Sequence, residues 1–247
     1  MSRCGVMCAV LIGAGLLSLQ VAAAPGGPLP EWVRFSDEAK HYTEAHPHSA
    51  AGTDRFVSLD IDVSYPNYKI IQRVQRLGNY AEVSRRDGYG QEEIQGPAVQ
   101  RRILQAFHGF FSIDDEYELS SIRFDQQKNF PRAGFRITTE TVVPSAPGGH
   151  LTVERRCGFV QAAKADALVS GLPGEMYHYR CDSDIEGSTT APPVLHFWYS
   201  DYLDIVVNRY YDHARKDDLT NMENDRSLTF VDGTGQRRTA RYSNFPR

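Results

Sequence analysis

Two cysteines in strand-like segments, Cys157 and Cys181, constrain the fold of this chain more than any other feature. Each lies in a run in which larger apolar side chains occupy every second position, which is the period of a β-strand. A helix-like stretch at about residues 161–170 separates the two runs, and Pro173 and Gly174 end it. A disulfide between the cysteines would close a loop of about 25 residues and stabilise the fold by roughly 3 kcal/mol. The alternative is a pair of free buried thiols that pack as small apolar side chains.

The N-terminal segment has the pattern of a secretory signal peptide. Arg3 precedes an apolar run from about Val6 to Ala24, and small residues end that run. We expect cleavage after Ala23, which makes residues 1–23 the signal peptide and leaves a periplasmic or secreted mature chain. These compartments are oxidising and therefore favour the disulfide. An uncleaved anchor helix is the alternative, and no later segment is apolar over the length that a membrane span needs.

The mature chain is long enough for one large domain or two small ones. A Pro/Gly-rich start followed by polar residues predicts a linker and N-terminal extension at residues 24–54. Residues 55–247 are then expected to form one α+β domain, or two subdomains that meet near residues 144–150. The formal net charge of −4 argues against nucleic acid as a partner.

Strand-like alternation dominates the rest of the chain and predicts an antiparallel sheet of six or more strands. The clearest single strand covers residues 55–65, and a hairpin is expected between residues 194–199 and 203–211. The charged stretches at residues 85–95 and 213–226 are predicted to be exposed loops.

One stretch, at about residues 97–111, has a strong helical pattern. Pro97 suits the first position of a helix, and Val99, Ile103 and Phe107 recur at helical spacing. Together with the shorter helix at residues 161–170, it predicts an α+β fold in which one main amphipathic helix packs across the sheet. His108, near the end of this helix, is interpreted as a surface residue that compensates the helix dipole.

The chain lacks the usual motifs for a nucleophile, a phosphate loop, a dinucleotide or a zinc protease, so no metal or cofactor is expected. The weak catalytic candidates are His178 and His196, both on predicted strands. If these strands were neighbours, the two imidazoles could act as general acid and base with a nearby carboxylate, Asp201 or Asp204. The alternative is that both are ordinary histidines of a sheet.

The leading functional hypothesis is a protein-binding module of the cell envelope, such as an inhibitor or an immunity-type protein. Its partner would be another envelope or secreted protein. Trp198, Tyr199, Tyr202 and Tyr210 are predicted to supply the contact surface, because tyrosine and tryptophan dominate the binding energy of protein interfaces. Two alternatives remain, a carrier of a small ligand or lipid and a hydrolase that uses one of the strand histidines.

Overall fold

The computed structural model describes residues 29, 31–46, 58–65, 68–77, 80–89, 100–189, 192–212, 227–231 and 236–242. Within these ranges the chain forms fifteen β-strands and two short α-helices. In chain order they are β1 (Arg34–Phe35), α1 (Asp37–Ala45), β2 (Ser58–Tyr65), β3 (Tyr68–Leu77), β4 (Tyr80–Tyr89), β5 (Gln100–Ala106), β6 (Phe111–Asp114), β7 (Glu118–Gln126), β8 (Phe135–Val142), β9 (His150–Lys164), α2 (Ala165–Leu168), β10 (Val169–Ser170), β11 (Glu175–Ile185), β12 (Leu195–Ser200), β13 (Ile205–Tyr211), β14 (Ser227–Val231) and β15 (Arg237–Tyr242).

The strands form two sheets. Seven strands make the first sheet, in the order β1-β7-β8-β9-β11-β12-β13, and eight make the second, in the order β10-β15-β14-β2-β3-β4-β5-β6. The expectation of a sheet of six or more strands with few helices is confirmed. The first sheet is mixed rather than purely antiparallel, because β1 runs parallel to β7. The Ser36 amide, next to β1, donates to the Leu119 carbonyl of β7 and holds this short edge strand in place.

The predicted main helix at residues 97–111 is wrong over the part that the structure describes. Residues 100–106 form β5, which pairs with β4 on one side and β6 on the other. Leu104 and Ala106 are buried two residues apart, which is the strand period. A tight turn at Phe107, His108 and Gly109 then reverses the chain, and all three have positive φ. Apolar residues on either side of this turn happen to repeat at helical spacing.

Two smaller expectations also need correction. The predicted helix at residues 161–170 is reduced to α2, because β9 continues along β11 as far as the pair Lys164 and Glu175. The expected loop at residues 85–95 begins as part of β4, which extends to Tyr89. The rest of that loop, and the loop expected at residues 213–226, lie outside the described residues.

The described part of the N-terminal extension packs against the first sheet. Ser36 caps α1 by accepting a hydrogen bond from the Ala39 amide, and its hydroxyl also donates to the Ser120 carbonyl of β7. The Phe124 amide of β7 donates to the Tyr42 hydroxyl at 2.9 Å. No helix among the described residues is long and apolar enough to cross a bilayer, and the expected signal peptide lies outside them.

The two faces of the first sheet bury different sets of side chains. One face carries the disulfide and an aromatic cluster that includes Phe110 and Phe197. The other buries Trp198 against Leu228 and Ala240 of the second sheet. The predicted hairpin of β12 and β13 lies in the first sheet and contributes to both clusters. The candidate functional side chains lie on these two faces.

Candidate functional site

The disulfide predicted from the sequence is present. Cys157 and Cys181 stand directly opposite each other where β9 pairs with β11, and both are almost fully buried. Their neighbours in the core include Phe110 and Tyr179, whose rings meet edge to face at 5.3 Å. The bridge fixes β9 against β11, and the preceding residue on the same face of β9 is Arg155.

An open cleft of about 180 Å³ lies on this face of the first sheet. The start of β6 forms one side, and β8, β9 and β13 form the rest. The cleft is lined by two arginines, Arg155 and Arg209, by the hydroxyl residues Ser112, Thr139 and Thr141, and by four apolar side chains. Its lining contains two basic residues and no acidic residue.

Strand periodicity and register explain why these residues meet. Ile137 and Thr139 are two apart on β8 and therefore share a face. They stand opposite Arg155 and Val153 on β9. The cleft floor is thus built from consecutive cross-strand pairs of two adjacent strands.

The two arginines of the cleft share one aromatic neighbour. The guanidinium carbon of Arg155 lies 6.0 Å from the ring centre of Phe197, and that of Arg209 lies 5.0 Å from the same centre. The two guanidinium carbons are therefore no farther apart than the sum of these two distances. Arg155 Nε donates to Ser183 Oγ at 3.4 Å, and an Arg209 amine donates to Ser112 Oγ, also at 3.4 Å. The ring and these hydroxyls orient both guanidinium groups.

The opposite face of the same strands carries balanced charge. Glu154 Oε1 lies 2.7 Å from Arg156 Nε and 3.7 Å from Arg136 Nε. The Arg156 side chain is 58% exposed, so these ion pairs contribute little to stability. Arg155 and Arg156 are thus sequence neighbours in different surroundings, one in a cleft lined by no acid and one in a surface ion-pair network.

The two candidate histidines come together because β11 and β12 are neighbours. His178 Nε2 lies 2.8 Å from His196 Nδ1, and both side chains are buried. Each ring stacks on an aromatic ring at 4.6 Å, His178 on Trp198 and His196 on Tyr210. Within the described part of the chain, His178 Nδ1 has no hydrogen-bond partner. Burial, followed by the neighbouring His196, lowers the pKa of His178 to about 4, so it is uncharged at neutral pH.

The carboxylate beside this pair belongs to Asp212, and neither predicted aspartate occupies that position. His196 Nε2 lies 2.8 Å from Asp212 Oδ1, but the angle does not meet hydrogen-bond geometry. Asp201 instead accepts a hydrogen bond from the Glu175 amide at 2.8 Å and links the end of β12 to the start of β11. Asp204 binds a different histidine, His108.

The buried pair of His108 and Asp204 escaped the sequence interpretation. His108 Nδ1 lies 2.5 Å from Asp204 Oδ1, and the Tyr199 hydroxyl donates to the same oxygen at 2.8 Å. Gln126 Nε2 lies 3.1 Å from His108 Nε2. His108 is only 7% exposed, so the interpretation of it as a surface residue at a helix end is wrong. Burial raises the pKa of Tyr199, and the Asp204 charge adds to that shift.

Both members of this pair lie in turns with left-handed backbone. φ is +58° at His108, between β5 and β6, and +53° at Asp204, between β12 and β13. Such a conformation costs about 1–3 kcal/mol at a non-glycine residue and persists only where the surroundings enforce it. The contact therefore ties a turn of the second sheet to a turn of the first. The sequence did contain a signal for the first of these turns, because His108 is followed by Gly109, and glycine suits a turn with positive φ.

The aromatic residues predicted to form a contact surface lie mostly inside the protein. Trp198 is fully buried and Tyr199 is 5% exposed. Tyr202 and Tyr210 are half-buried and pack against the same core cluster as Trp198. Trp198 and Tyr199 are inaccessible in this conformation because β12 is buried along its whole length.

The described residues contain no group of three histidines, cysteines or acids placed to hold a metal ion. Comparison with protein-family models, with curated proteins and with solved structures finds no match for this chain. The candidate site therefore rests on its own geometry, and the cleft with its two arginines is open to solvent.

Proposed function

We propose that this chain is an exported protein of the cell envelope that binds a small anionic ligand in the cleft between β6 and the first sheet. One observation carries the proposal: two arginines and three hydroxyl residues line this cleft together with apolar side chains and no acid. A concave site with a few convergent polar groups on an apolar lining is typical of ligand pockets.

The charge arrangement supports an anion as the ligand. Two positively charged side chains lie near one ring, Phe197, and an anion bound between them would interact favourably with both. Because the disulfide and the β8–β9 register fix Arg155, little ordering cost remains when the ligand binds.

The proposed location follows from two features of the sequence. The signal-like segment at residues 1–23 directs export, and cleavage after Ala23 would release the mature chain. The buried bridge between Cys157 and Cys181 suits the oxidising periplasm or the extracellular medium. N-terminal sequencing of the mature protein tests the cleavage, and an intact Met1 in the membrane fraction would contradict it.

Ligand binding is better supported than the protein-binding alternative. That alternative relied in part on aromatic side chains as a contact surface, and two of them, Trp198 and Tyr199, are buried in the core. The cleft, by contrast, is open and contains oriented charged groups.

Native mass spectrometry of the mature protein, after incubation with a small-molecule extract of the cell envelope, tests the proposal. We expect the wild-type protein to retain an anionic small molecule. The double variant Arg155→Met/Arg209→Met should lose it, whereas Arg156→Met removes the same charge from the opposite face of β9 and should keep it. Equal retention by all three proteins, or retention of a protein partner without any small molecule, would refute the proposal.

A further inference from the structure

We infer that the anionic group of the ligand is a carboxylate, carried on an apolar body no larger than one ring or a short aliphatic chain. This inference rests on the proposed function, because it specifies the chemistry of the ligand that the same cleft would bind. It follows from the kind of donors in the cleft, from the state of the surrounding backbone and from the available volume.

The charged donors of the cleft are planar forks. A guanidinium group presents parallel N–H donors whose spacing matches the two oxygens of a carboxylate. Arg155 uses Nε toward Ser183, and Arg209 is exposed at the cleft margin. The hydroxyls of Thr139 and Thr141 can donate to the same oxygens from the floor.

The floor of the cleft does not resemble a phosphate site. Phosphate groups are typically bound by successive free amides in a loop or at the N-terminus of a helix. The floor of this cleft consists of β8 and β9, and each of these strands is hydrogen-bonded to a neighbour on both sides. Their amides are therefore occupied, and the donors on the floor are side chains. A carboxylate needs fewer donors than a phosphate dianion, so it fits this set better.

The remaining lining defines the body of the ligand. Phe110, Phe111, Ile137 and Val153 give the cleft an apolar part that adjoins its charged part. Its volume of about 180 Å³ is below the range of about 300–1,000 Å³ that is usual for drug-sized ligands. The ligand is therefore amphipathic and small.

Isothermal titration calorimetry with benzoate, hexanoate, benzyl alcohol and phenyl phosphate tests this inference. We expect benzoate or hexanoate to bind at least about tenfold more tightly than benzyl alcohol, because only an anion makes charge-assisted hydrogen bonds. Arg155→Met should weaken carboxylate binding by about 10- to 100-fold, since the charge-assisted contact of this guanidinium with the carboxylate is lost. Arg156→Met is the matched control and should change it by less than about twofold.

A second pair of variants separates loss of the binding group from loss of the fold. Arg155→Lys and Arg209→Lys keep the charge and most of the side-chain volume but remove the planar fork. Each should fold normally by circular dichroism and still bind benzoate about tenfold more weakly. Unchanged binding in both lysine variants would refute bidentate recognition of a carboxylate.

The other outcomes distinguish this inference from the proposed function. Tighter binding of phenyl phosphate than of either carboxylate would overturn the carboxylate assignment and leave an anion-binding cleft. Failure of all four probes, with an envelope molecule still retained through Arg155 and Arg209, would also overturn it. Failure of the probes together with no retained molecule would refute both.

Discussion

Removing the Asp204 carboxylate should destabilise the protein strongly, because this group accepts hydrogen bonds from two buried donors. His108 Nδ1 and the Tyr199 hydroxyl both contact Asp204 Oδ1, at 2.5 and 2.8 Å. All three side chains are less than a tenth exposed, so water does not replace the carboxylate. Asp204→Ala leaves two donors unpaired, at about 1–3 kcal/mol each. We therefore expect the free energy of unfolding to fall by about 3–5 kcal/mol, the usual cost of removing one partner of a buried pair.

Two further variants test whether hydrogen bonding causes this loss. Asp204→Asn keeps an acceptor and a side chain that tolerates φ of +53°, and it should cost about 1–2 kcal/mol because neutral hydrogen bonds are roughly half as strong. Tyr199→Phe alone should cost about 1 kcal/mol. When it is combined with Asp204→Ala, the total should fall short of the sum of the single effects by at least about 1 kcal/mol, because one unpaired donor disappears.

Urea unfolding followed by circular dichroism and fluorescence measures these free energies, provided that both probes give the same transition. A cost below about 1 kcal/mol for Asp204→Ala would refute the proposed energetics of the pair. Effects of Asp204→Ala and Tyr199→Phe that add within about 0.3 kcal/mol would show that the two residues act independently.

Three other predictions concern stability. The double variant Cys157→Ala/Cys181→Ala should lose about 3 kcal/mol of unfolding free energy in urea titrations, and an unchanged midpoint would contradict a structural role for the bridge. Gly109→Ala should lose about 1–3 kcal/mol more than Gly148→Ala, since both have positive φ but only the first would place its Cβ 3.0 Å from β13; equal losses would exclude the steric cause. Burial lowers the pKa of His178 from 6.5 to about 4, so the folded protein resists protonation of this imidazole. The contribution of His178 to the free energy of unfolding is therefore complete above pH 6.5 and is lost as the pH falls toward 4. The melting temperature of wild type should drop more between pH 7 and pH 4.5 than that of His178→Gln, and parallel pH curves would argue against this linkage.

The strands that carry the disulfide could be predicted from local sequence because a strand leaves a two-residue period that needs no tertiary information. Alternation alone placed Cys157 and Cys181 on apolar faces of their strands. β9 and β11 are also close in sequence, so their pairing required only a short connection.

The error at residues 97–111 has a local cause. The stretch contains β5, a tight turn and the start of β6. Phe107 and Phe110, at this turn, are spaced along the sequence like residues on successive turns of a helix. Hydrophobic spacing does not distinguish these two cases over so short a range. The deciding interactions are the backbone pairs of β5 with β4 and β6, and these depend on the fold.

The candidate site depended on contacts between distant parts of the chain. The two-residue alternation of side chains placed His178 and His196 on strands. Only the β11–β12 register shows that their rings meet and that Asp212 lies beside them. In the same way, Arg155 and Arg209 lie on different strands that β11 and β12 separate in the sheet. Their convergence on Phe197 has no signature in local sequence.

The pairing of β2 with β14 determines when the second sheet can be completed. Asp62 is opposite Ser227 in this pair, so the two strands lie far apart in the sequence. Strands β10 and β15 belong to the second sheet, next to β14. In sequence, β11, β12 and β13 lie between β10 and β15, yet they belong to the first sheet. No single cut in the chain separates the two sheets, so the ladder between β2 and β14 closes only after β14 has been synthesised. Pairing of strands that are far apart in the sequence slows folding. On the proposed export route, this delay would keep the chain unfolded until it has crossed the membrane.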